Sequence, residues 1–338
     1  MTGNMKRIGI IGAGAWGTAL AMTAHRAGCD VVIQAREPDV VAAINERHEN
    51  TPFLPGVALD PAIRATADAT EAAVGTDALL LVVPAQFLRA AIGGLKDHLS
   101  GGVPVVICAK GIEQGSHALM SEVVEDVLPG TPVSVLSGPT FAAEVAAGLP
   151  AAVTLASNDM DMAARLSDAL GNPRFRAYWS DDLIGAQIGG AVKNVLAIGC
   201  GIVEGRGLGD NARAALITRG LAEIVRLGHA KGAKAETLMG LSGIGDLVLT
   251  CNAMQSRNFS LGYGLGQGQT LGDILGARSS VAEGVSSASS VTELAQGLNV
   301  DMPICKAVDA ILNHGADIDT TIEDLLSRPV AEETGGAA

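Results

Sequence analysis

A glycine-rich turn near the start of the chain constrains its fold more than any other feature. Residues 7–11 form an apolar run of strand length, and the segment that follows carries Gly12, Gly14 and Gly17. Residues 18–27, which come next, are rich in helix formers. In the G-x-G-x-x-G pattern the first glycine makes a tight turn, the second lets a diphosphate approach the backbone, and the third lets the helix pack closely on the strand. The stretch therefore predicts a strand–turn–helix unit that binds a dinucleotide through the amides at the helix start.

Two other interpretations of this stretch are less favoured. With 43 glycines in 338 residues, the pattern could be an accidental structural turn, but its placement between a strand and a helix argues for the dinucleotide site. Lys6 and Arg7 before an apolar run also resemble a secretory signal peptide. Three turn-forming glycines inside that run, and a βα pattern that continues beyond it, argue against such a signal.

Length and composition predict a soluble protein of two domains. A chain of 338 residues exceeds what one hydrophobic core usually holds. A composition of 48% hydrophobic and 17% charged residues supports sizeable cores in a globular protein. Glycines and polar residues interrupt each apolar run before it reaches the length of a membrane span.

Charge and cysteine usage exclude several classes of protein. A net charge of -13 disfavours nonspecific binding to nucleic acid or anionic membranes, so an anionic ligand must be met by local cations. The five cysteines are scattered and never form a C-x-x-C pair, which suits a reducing cytoplasm better than a disulfide or zinc framework. The six histidines show no ligand spacing, and we expect no metal.

Apolar runs alternate with helical segments through the first half of the chain. Further strands are predicted at residues 31–35, 78–83, 103–109, 133–136, 151–156 and 175–179, with a helix at residues 85–99. Continuous apolar runs of this length are typical of parallel strands buried on both faces. The pattern predicts an α/β protein whose dinucleotide-binding Rossmann domain, a mostly parallel sheet, covers residues 1–180.

The pattern changes after that point to one without convincing strands. Helical segments are predicted at residues 182–204, 212–230, 291–298 and 306–313. They predict an all-helical substrate-binding domain over residues 181–338.

Several polar residues follow predicted strands, where ligands of open α/β sheets bind. Lys110, Gly138 and Thr140 lie beyond the ends of two such strands. The second strand ends in Arg36 and Glu37 rather than in the acid that usually binds the ribose of NAD. Arginine can pair with a 2′-phosphate, which favours NADPH over NADH. An ordinary exposed arginine, or a ribose contact by Glu37, are the alternatives.

The first long helix of the second half carries a candidate catalytic lysine. Gly189 and Gly190 each cost about 1 kcal/mol relative to alanine inside a helix, which indicates that something approaches the backbone closely. Lys193 lies on the same helix face among apolar residues. An ammonium group there needs an anion or a carboxylate, unless the side chain reaches out to solvent.

Two later segments allow both a binding and a structural interpretation. Asp246 follows a Gly-Ile-Gly run, and Ser256, Arg257 and Asn258 precede a helical stretch. A hydroxyl, a guanidinium and an amide at a helix start suit a phosphate group. Equally, Asp246 and either Ser256 or Asn258 suit helix N-caps, and spacing alone does not decide between the two.

Taken in chain order, these motifs resemble those of bacterial NAD(P)-dependent glycerol-3-phosphate dehydrogenase. They are the fingerprint with Trp16, then Lys110-Gly111, Ser-Gly-Pro-Thr-Phe-Ala at 137–142, Gly-Ala-Val-Lys-Asn at 190–194, Gly-Asp-Leu at 245–247 and Gln-Ser-Arg-Asn at 255–258. The resemblance implies a homodimeric cytoplasmic enzyme that reduces dihydroxyacetone phosphate to sn-glycerol 3-phosphate. This product is the backbone precursor of glycerophospholipids.

The resemblance also implies roles for individual residues, with Lys193 as the proton donor and acceptor. Besides the three fingerprint glycines, the residues expected to contact NADP or NAD are Ala15, Trp16, Arg36, Lys110, Ala142, Arg257, Val281 and Glu283. The residues expected to contact the substrate are Lys110, Gly138, Thr140, Lys193, Asp246, Ser256, Arg257 and Asn258.

Two alternative functions stay open. Another reductase of the β-hydroxyacid type, acting on 6-phosphogluconate or ketopantoate, shares the sheet domain and a lysine-bearing helix but lacks the Ser-Arg-Asn segment. A dinucleotide-sensing module without catalysis needs the fingerprint but neither Lys193 nor Asp246.

Overall fold

The computed structural model describes residues 5–99, 102–277 and 282–329. The strands within these ranges are β1 (Arg7–Ile11), β2 (Asp30–Gln34), β3 (Glu49–Asn50), β4 (Leu54–Ala58), β5 (Arg64–Thr66), β6 (Ala78–Leu81), β7 (Val105–Ile107), β8 (Val133–Ser137), β9 (Ala151–Ser157) and β10 (Phe175–Ser180).

The α-helices divide between the sheet region and the region that follows it. Those of the sheet region are α1 (Ala15–Arg26), α2 (Pro38–Ala42), α3 (Ala69–Ala73), α4 (Leu88–Gly93), α5 (Met120–Val127), α6 (Ala142–Ala146) and α7 (Met160–Leu170). Those that follow are α8 (Leu183–Gly205), α9 (Gly209–Lys231), α10 (Ala235–Leu238), α11 (Asp246–Cys251), α12 (Arg257–Gly266), α13 (Leu271–Gly276), α14 (Glu283–Gly297), α15 (Pro303–Asn313) and α16 (Ile318–Leu326). Two π-helical turns, Ala43–Arg47 and Leu241–Gly245, and one 3₁₀ turn, Ala85–Phe87, complete the helices of the described ranges.

Eight strands form one sheet in the order β10-β9-β8-β7-β6-β1-β2-β5. The strands from β5 through β8 are all parallel, and their order is that of the Rossmann fold. β9 runs antiparallel to β8, and β10 runs parallel to β9. The prediction of a Rossmann-type, mostly parallel sheet is confirmed.

The central strands supply two hydrophobic cores, one on each face of the sheet. Ile8 and Ile10 of β1 belong to one core, whereas Ile11 belongs to the other. Likewise Leu80 of β6 faces the first core and Leu79 the second. Because successive side chains of a strand point to opposite faces, a strand buried on both faces must be apolar throughout. This requirement explains why these strands were visible in the sequence.

Three strands of the first half were not predicted. β3 and β4 pair as an antiparallel hairpin outside the main sheet, and β5 extends the sheet beside β2. β4 contains Pro55 and Gly56, residue types that are depleted in strands, and β5 has only three residues. The helix expected at residues 85–99 was also too long, because the helical structure ends at Gly93, before a second glycine.

The second half is helical, and its described residues contain no strand after Ser180. The predicted helices at 182–204, 212–230 and 306–313 agree with α8, α9 and α15 within about one turn, whereas α14 begins eight residues before the predicted 291. Helices α9, α11, α12, α14 and α15 contact α8. The division into domains at residues 180 and 181 stays a prediction.

Helix α8 is long and apolar enough to cross a membrane, judged by length and composition alone. Every residue of its most apolar window is nevertheless buried inside the fold. It is the central core helix of the second half.

Candidate active site

The glycine turn joins β1 to α1 at the carboxyl edge of the sheet. Gly12 has a φ of +106°, which favours glycine, and a Cβ on Gly17 would lie 1.9 Å from the Gly12 carbonyl oxygen. The tight turn and the close packing predicted for these two positions are confirmed. A Cβ on Gly14 would meet nothing within 4 Å, and no side chain caps α1 there. The open surface and the uncapped helix amides fit the diphosphate of a dinucleotide.

Other predicted cofactor residues lie around this turn or at further strand ends. Ala15 is the first residue of α1, and Trp16, the second, is partly buried with no hydrogen-bond partner for its indole Nε1 among the described residues. Ala142 is the first residue of α6, which follows β8. Val281 lies outside the described residues.

Arg36 follows β2 at the same edge of the sheet. Its side chain is 87% exposed, and its Nη2 lies 2.9 Å from Oε1 of Glu37. The neighbouring carboxylate therefore already pairs with the guanidinium that was expected to bind a 2′-phosphate. The 2′-phosphate contact by Arg36, the ribose contact by Glu37 and an ordinary exposed arginine all stay predictions.

The centre of the candidate site is a carboxylate held between two ammonium groups. Asp246 accepts hydrogen bonds from Lys193 Nζ at Oδ1 and from Lys110 Nζ at Oδ2, each at 2.7 Å. Asp246 is fully buried, Lys193 is 7% exposed, and Lys110 is largely buried. The alternative in which Lys193 reaches out to solvent is therefore wrong. The structure brings together three predicted site residues that are widely separated along the chain.

The paired glycines of α8 allow this arrangement. A Cβ on Gly189 would lie 2.3 Å from the carbonyl oxygen of Ser242, in the turn that leads to Asp246. A Cβ on Gly190 would lie 3.0 Å from Ser137 Oγ and 3.4 Å from Lys110 Cγ. The close approach predicted for these glycines is confirmed, and the approaching groups belong to the chain itself.

The lysines and the carboxylate shift one another's protonation. Burial lowers the pKa of Lys193 to about 8; the negative charge of Asp246 opposes this shift, and the positive charge of Lys110 adds to it. Burial alone would raise the pKa of Asp246, but the two ammonium groups hold it below its usual value. Lys193 thus combines a fixed position with a pKa near neutral pH, as a general acid requires.

Two residues of this cluster were not singled out from the sequence. Thr250 Oγ1 accepts a hydrogen bond from Lys193 Nζ at 2.8 Å and donates to the backbone oxygen of Asp246 at 2.6 Å. Asn194 donates from Nδ2 to the backbone oxygen of Lys110 at 3.3 Å. The spacing of four residues between Asp246 and Thr250, which places both on one face of a helix, is a signal that could have revealed Thr250.

Lys110 also connects the cluster to the end of β8. Its Nζ donates to the carbonyl oxygen of Gly138 at 3.0 Å, and Thr140 Oγ1 donates to the same oxygen at 3.3 Å. Gly138 and Thr140, both predicted to contact the substrate, therefore lie beside Lys110.

The cap interpretation is confirmed for Ser256 and is wrong for Asp246 and Asn258. Ser256 Oγ accepts the N–H of Phe259 at 3.2 Å and caps α12. Asp246 instead lies within continuous helical backbone, as the first residue of α11 directly after the π-helical turn Leu241–Gly245.

Asn258 bridges two helices. Its Nδ2 donates to Asn194 Oδ1 at 2.9 Å, and its Oδ1 accepts the N–H of Gly284 at 3.1 Å. It therefore connects α12 to α8 and to the start of α14. Its partner on α8, Asn194, is the residue that follows Lys193.

Glu283 and Arg257 lie at the starts of α14 and α12. Oε1 of Glu283 accepts the N–H of Ala85, which follows β6, at 3.2 Å. Burial raises the pKa of Glu283, and the positive charges of Arg257, Lys110 and Lys193 oppose that shift. The exposed Arg257 therefore lies within electrostatic reach of the residue that joins α14 to the sheet.

The fold and this site together define a class of protein. A Rossmann sheet with a dinucleotide fingerprint, joined to a helical region that supplies a buried lysine of lowered pKa, is the arrangement of a nicotinamide-dependent dehydrogenase. Residues 7–163 match the family model of the NAD-dependent glycerol-3-phosphate dehydrogenase N-terminus, and residues 182–323 match that of its C-terminus. The chain belongs to the NAD-dependent glycerol-3-phosphate dehydrogenase family, which confirms the resemblance seen in the sequence.

Individual relatives agree with this assignment along nearly the whole chain. A glycerol-3-phosphate dehydrogenase [NAD(P)+] of Rhodospirillum rubrum is 60% identical over 97% of this chain and 94% of its own length. One of Caulobacter vibrioides is 57% identical over 97% of this chain and 99% of its own. The crystal structure of a glycerol-3-phosphate dehydrogenase from Coxiella burnetii is 40% identical, covers 96% of this chain and 100% of its own, and has a TM-score of 0.93.

A ketopantoate reductase from Ralstonia eutropha shares the fold alone. It is 17% identical, with a TM-score of 0.57 over 94% of this chain and 99% of its own. The alternative of a ketopantoate-type reductase thus shares the architecture of this chain but not its family.

Proposed function

We propose that this chain is an NAD(P)-dependent oxidoreductase that reversibly reduces dihydroxyacetone phosphate to sn-glycerol 3-phosphate. The family match in both halves supports this reaction, as do relatives at 60% and 57% identity named glycerol-3-phosphate dehydrogenase [NAD(P)+]. The observation that carries the proposal is the buried cluster of Lys110, Asp246 and Lys193 at the carboxyl edge of a dinucleotide-binding sheet. The product of the proposed reaction, sn-glycerol 3-phosphate, is the backbone precursor of glycerophospholipids.

A spectrophotometric assay tests this function directly. Oxidation of NADPH or NADH is followed with dihydroxyacetone phosphate and with ketopantoate as separate substrates, and reduction of NADP+ or NAD+ is followed with 6-phosphogluconate. We expect turnover with dihydroxyacetone phosphate alone. Turnover with another member of the panel would assign a different reductase, and cofactor binding without any turnover would favour a sensing module.

The residues of the site divide into three proposed groups. The fingerprint turn, Ala142 and Glu283 hold the cofactor, which when bound supplies the hydride for the carbonyl carbon. Lys193 donates the proton to the carbonyl oxygen, and Lys110 adds positive charge beside it. The proposed phosphate site is the start of α12, with Ser256, Arg257 and Asn258.

The hydrogen bonds of Asn258 leave its side chain less able than those of Ser256 and Arg257 to bind the phosphate. Both ends of its amide already bond to the chain, to Asn194 and to the N–H of Gly284. Ser256 accepts at the helix cap and keeps a hydroxyl hydrogen to donate. Together with the charge of Arg257 and the first amides of α12, this hydroxyl suits a dianionic phosphate.

The preference for NADP over NAD is tested at Arg36. We expect Arg36→Ala to raise the Michaelis constant for NADPH much more than that for NADH, because a charge-assisted hydrogen bond contributes about 1.5 to 3 kcal/mol. Arg176→Ala is the matched control, since Arg176 is an exposed arginine on β10 at the opposite edge of the sheet. Equal changes for both cofactors would remove Arg36 from the 2′-phosphate site.

The phosphate site is tested at Arg257. We expect Arg257→Ala to weaken dihydroxyacetone phosphate far more than unphosphorylated dihydroxyacetone, and to lower turnover, because binding energy from the phosphate positions the reacting carbonyl. Steady-state kinetics with both substrates measures the difference. Arg226→Ala is the control, because the half-buried Arg226 donates a hydrogen bond to the backbone oxygen of Asp301, on a segment separate from the start of α12. If both substrates weaken equally, Arg257 serves the cofactor or the fold instead.

Three broader properties belong to the same proposal. We expect a homodimer in the cytoplasm, with a cofactor domain over residues 1–180 and a substrate domain over residues 181–338. The resemblance supports the dimer, and five buried free cysteines suit a reducing compartment. Sedimentation equilibrium tests the dimer, and limited proteolysis tests the boundary.

A further inference from the structure

A buried asparagine outside the Rossmann sheet holds the fingerprint turn. Asn50, at the end of β3, is fully buried. Its Nδ2 donates to the backbone oxygen of Ala13 at 2.8 Å and to Thr18 Oγ1 at 2.7 Å. Ala13 lies between the first two fingerprint glycines, and Thr18 lies in the first turn of α1.

The backbone before Asn50 adopts two uncommon conformations. Ala43–Arg47 form a π-helical turn, and His48 follows with a φ of +53°. Isolated π-turns and left-handed residues other than glycine are unfavourable, and both occur preferentially at functional sites. Here the π-helical turn and His48 redirect the chain, so that Asn50 at the end of β3 lies against the glycine turn.

The contacts of Asn50 hold two successive peptide units, the first directly and the second through Thr18. In a trans peptide the carbonyl of Ala13 and the N–H of Gly14 point in opposite directions, so a hydrogen bond to that carbonyl directs the N–H away from Asn50. Thr18 Oγ1, which accepts from Asn50, donates to the backbone oxygen of Gly14 at 3.0 Å. Asn50 therefore holds the carbonyl before Gly14 directly and supports the Gly14 carbonyl through Thr18, whose own backbone N–H also bonds to that oxygen at 3.0 Å. The surface at Gly14 is open.

We propose that Asn50 is a positioning residue of the diphosphate site, which preorients the Gly14 amide and the start of α1 for the cofactor. The inference rests on the cofactor assigned under the proposed function. Preorientation matters because amides that are already aimed at an anion need not be ordered when it binds. Asn50 acts through the backbone and does not itself contact the cofactor.

The test compares the binding of two ligands to variants that lose hydrogen bonds of Asn50 or Thr18. Asn50→Leu keeps a similar volume but removes both donated hydrogen bonds, and Thr18→Val removes only the hydroxyl. NADPH and adenosine 2′-monophosphate, which has no diphosphate, are titrated by fluorescence and by calorimetry, without substrate. We expect Asn50→Leu to weaken NADPH by about tenfold or more, and Thr18→Val by less, with the affinity for adenosine 2′-monophosphate unchanged.

A second asparagine of the same segment provides the matched control. Asn45 makes two hydrogen bonds to the backbone of Ala65, at 2.9 and 2.8 Å, and none to the fingerprint turn among the described contacts. Asn45→Leu therefore loses similar bonds and should keep wild-type affinity for NADPH. Hydrogen–deuterium exchange of the free protein should increase around residues 12–18 in Asn50→Leu but not in Asn45→Leu.

Three outcomes with the variants contradict the inference. Unchanged NADPH affinity in a folded Asn50→Leu variant, or an equal loss for both ligands, would show that Asn50 serves only the fold. If Asn50→Leu does not fold, Thr18→Val decides. Wild-type affinity for NADPH in that variant would contradict the proposed role of Asn50. Failure of the wild-type protein to bind NADPH would instead contradict the proposed cofactor.

Discussion

Replacing Lys193 with methionine is expected to lower turnover on dihydroxyacetone phosphate by about a hundredfold or more, the scale of a general acid that also stabilises charge. Reduction of a carbonyl places negative charge on its oxygen, and that oxygen must gain a proton. Lys193 is held by Asp246 and Thr250 and has a pKa of about 8, so its ammonium group can stabilise the negative charge and then donate the proton. Single-turnover kinetics and cofactor titration of the purified variant separate loss of chemistry from loss of binding.

The variant should remain folded, because methionine fits the apolar face of α8 and Asp246 keeps its bond to Lys110. Between the native pKa of about 8 and the usual 10.5, the unfolded chain binds more protons at residue 193 than the native chain. The contribution of Lys193 to stability therefore rises with pH across this window. Lys193→Met should lose that dependence, which urea unfolding at several pH values measures.

Two further substitutions sharpen the test of Lys193. Arginine at this position should not restore turnover, since a guanidinium does not release its proton at accessible pH. Lys234→Met is the control, because Lys234 is an exposed lysine paired with Asp181. Near-normal turnover in a folded Lys193→Met enzyme would contradict the mechanism and make Lys110 the next candidate.

Replacing Asp246 with asparagine is expected to displace the pH profile of the enzyme. In the wild type, kcat/KM for reduction should fall as the pH rises through about 8, because Lys193 loses its proton. Without the carboxylate, burial and the charge of Lys110 act unopposed, so the pKa of Lys193 falls further and the decline begins at lower pH. Oxidation needs the neutral amine, so its rising limb should move in the same direction.

Asp246→Asn should also lose stability and turnover. It leaves two largely buried ammonium groups without their shared carboxylate, and breaking a buried ion pair on one side costs about 3 to 5 kcal/mol. Turnover in reduction at neutral pH should fall by about tenfold or more, because less of the lysine carries a proton and its orientation is lost.

A second buried carboxylate provides the control for Asp246. Glu223 accepts the N–H groups of Ile304 and Cys305 at 2.7 and 3.1 Å, at the start of α15 and away from the lysines. Glu223→Gln should change the melting temperature without moving the pH profile. A profile for Asp246→Asn that coincides with that of the wild type would show that Asp246 does not control the protonation of Lys193.

The elements that were predicted correctly carry their signal in local sequence. The strand before Gly12, the helix after Gly17 and the apolar strand β6 were visible because each is either buried on both faces or bounded by a turn of special geometry. The hairpin of β3 and β4 was missed, because β3 has only two residues and β4 contains proline and glycine, so the two strands gain their stability from each other and from the core beneath them.

The candidate site was only partly readable for the same reason. The sequence indicated that Lys193 needs an anionic partner, but Asp246 as a helix cap was an equally good interpretation of the local pattern. Thr250, Asn194 and Asn50 were not singled out, since each acts through a contact with a segment distant in the chain.

By itself, the sequence determined the Rossmann sheet, the helical second half, the fingerprint turn and the resemblance to one enzyme family. Hydrophobic periodicity and glycine placement depend on neighbouring residues, so they can be read along the chain. Only the tertiary structure decided that Asp246 joins Lys110 to Lys193, which lowers the pKa of Asp246 and limits the drop in the pKa of Lys193. Burial and charge proximity arise when segments separated by 53 and 136 residues pack together, and no local pattern encodes those distances.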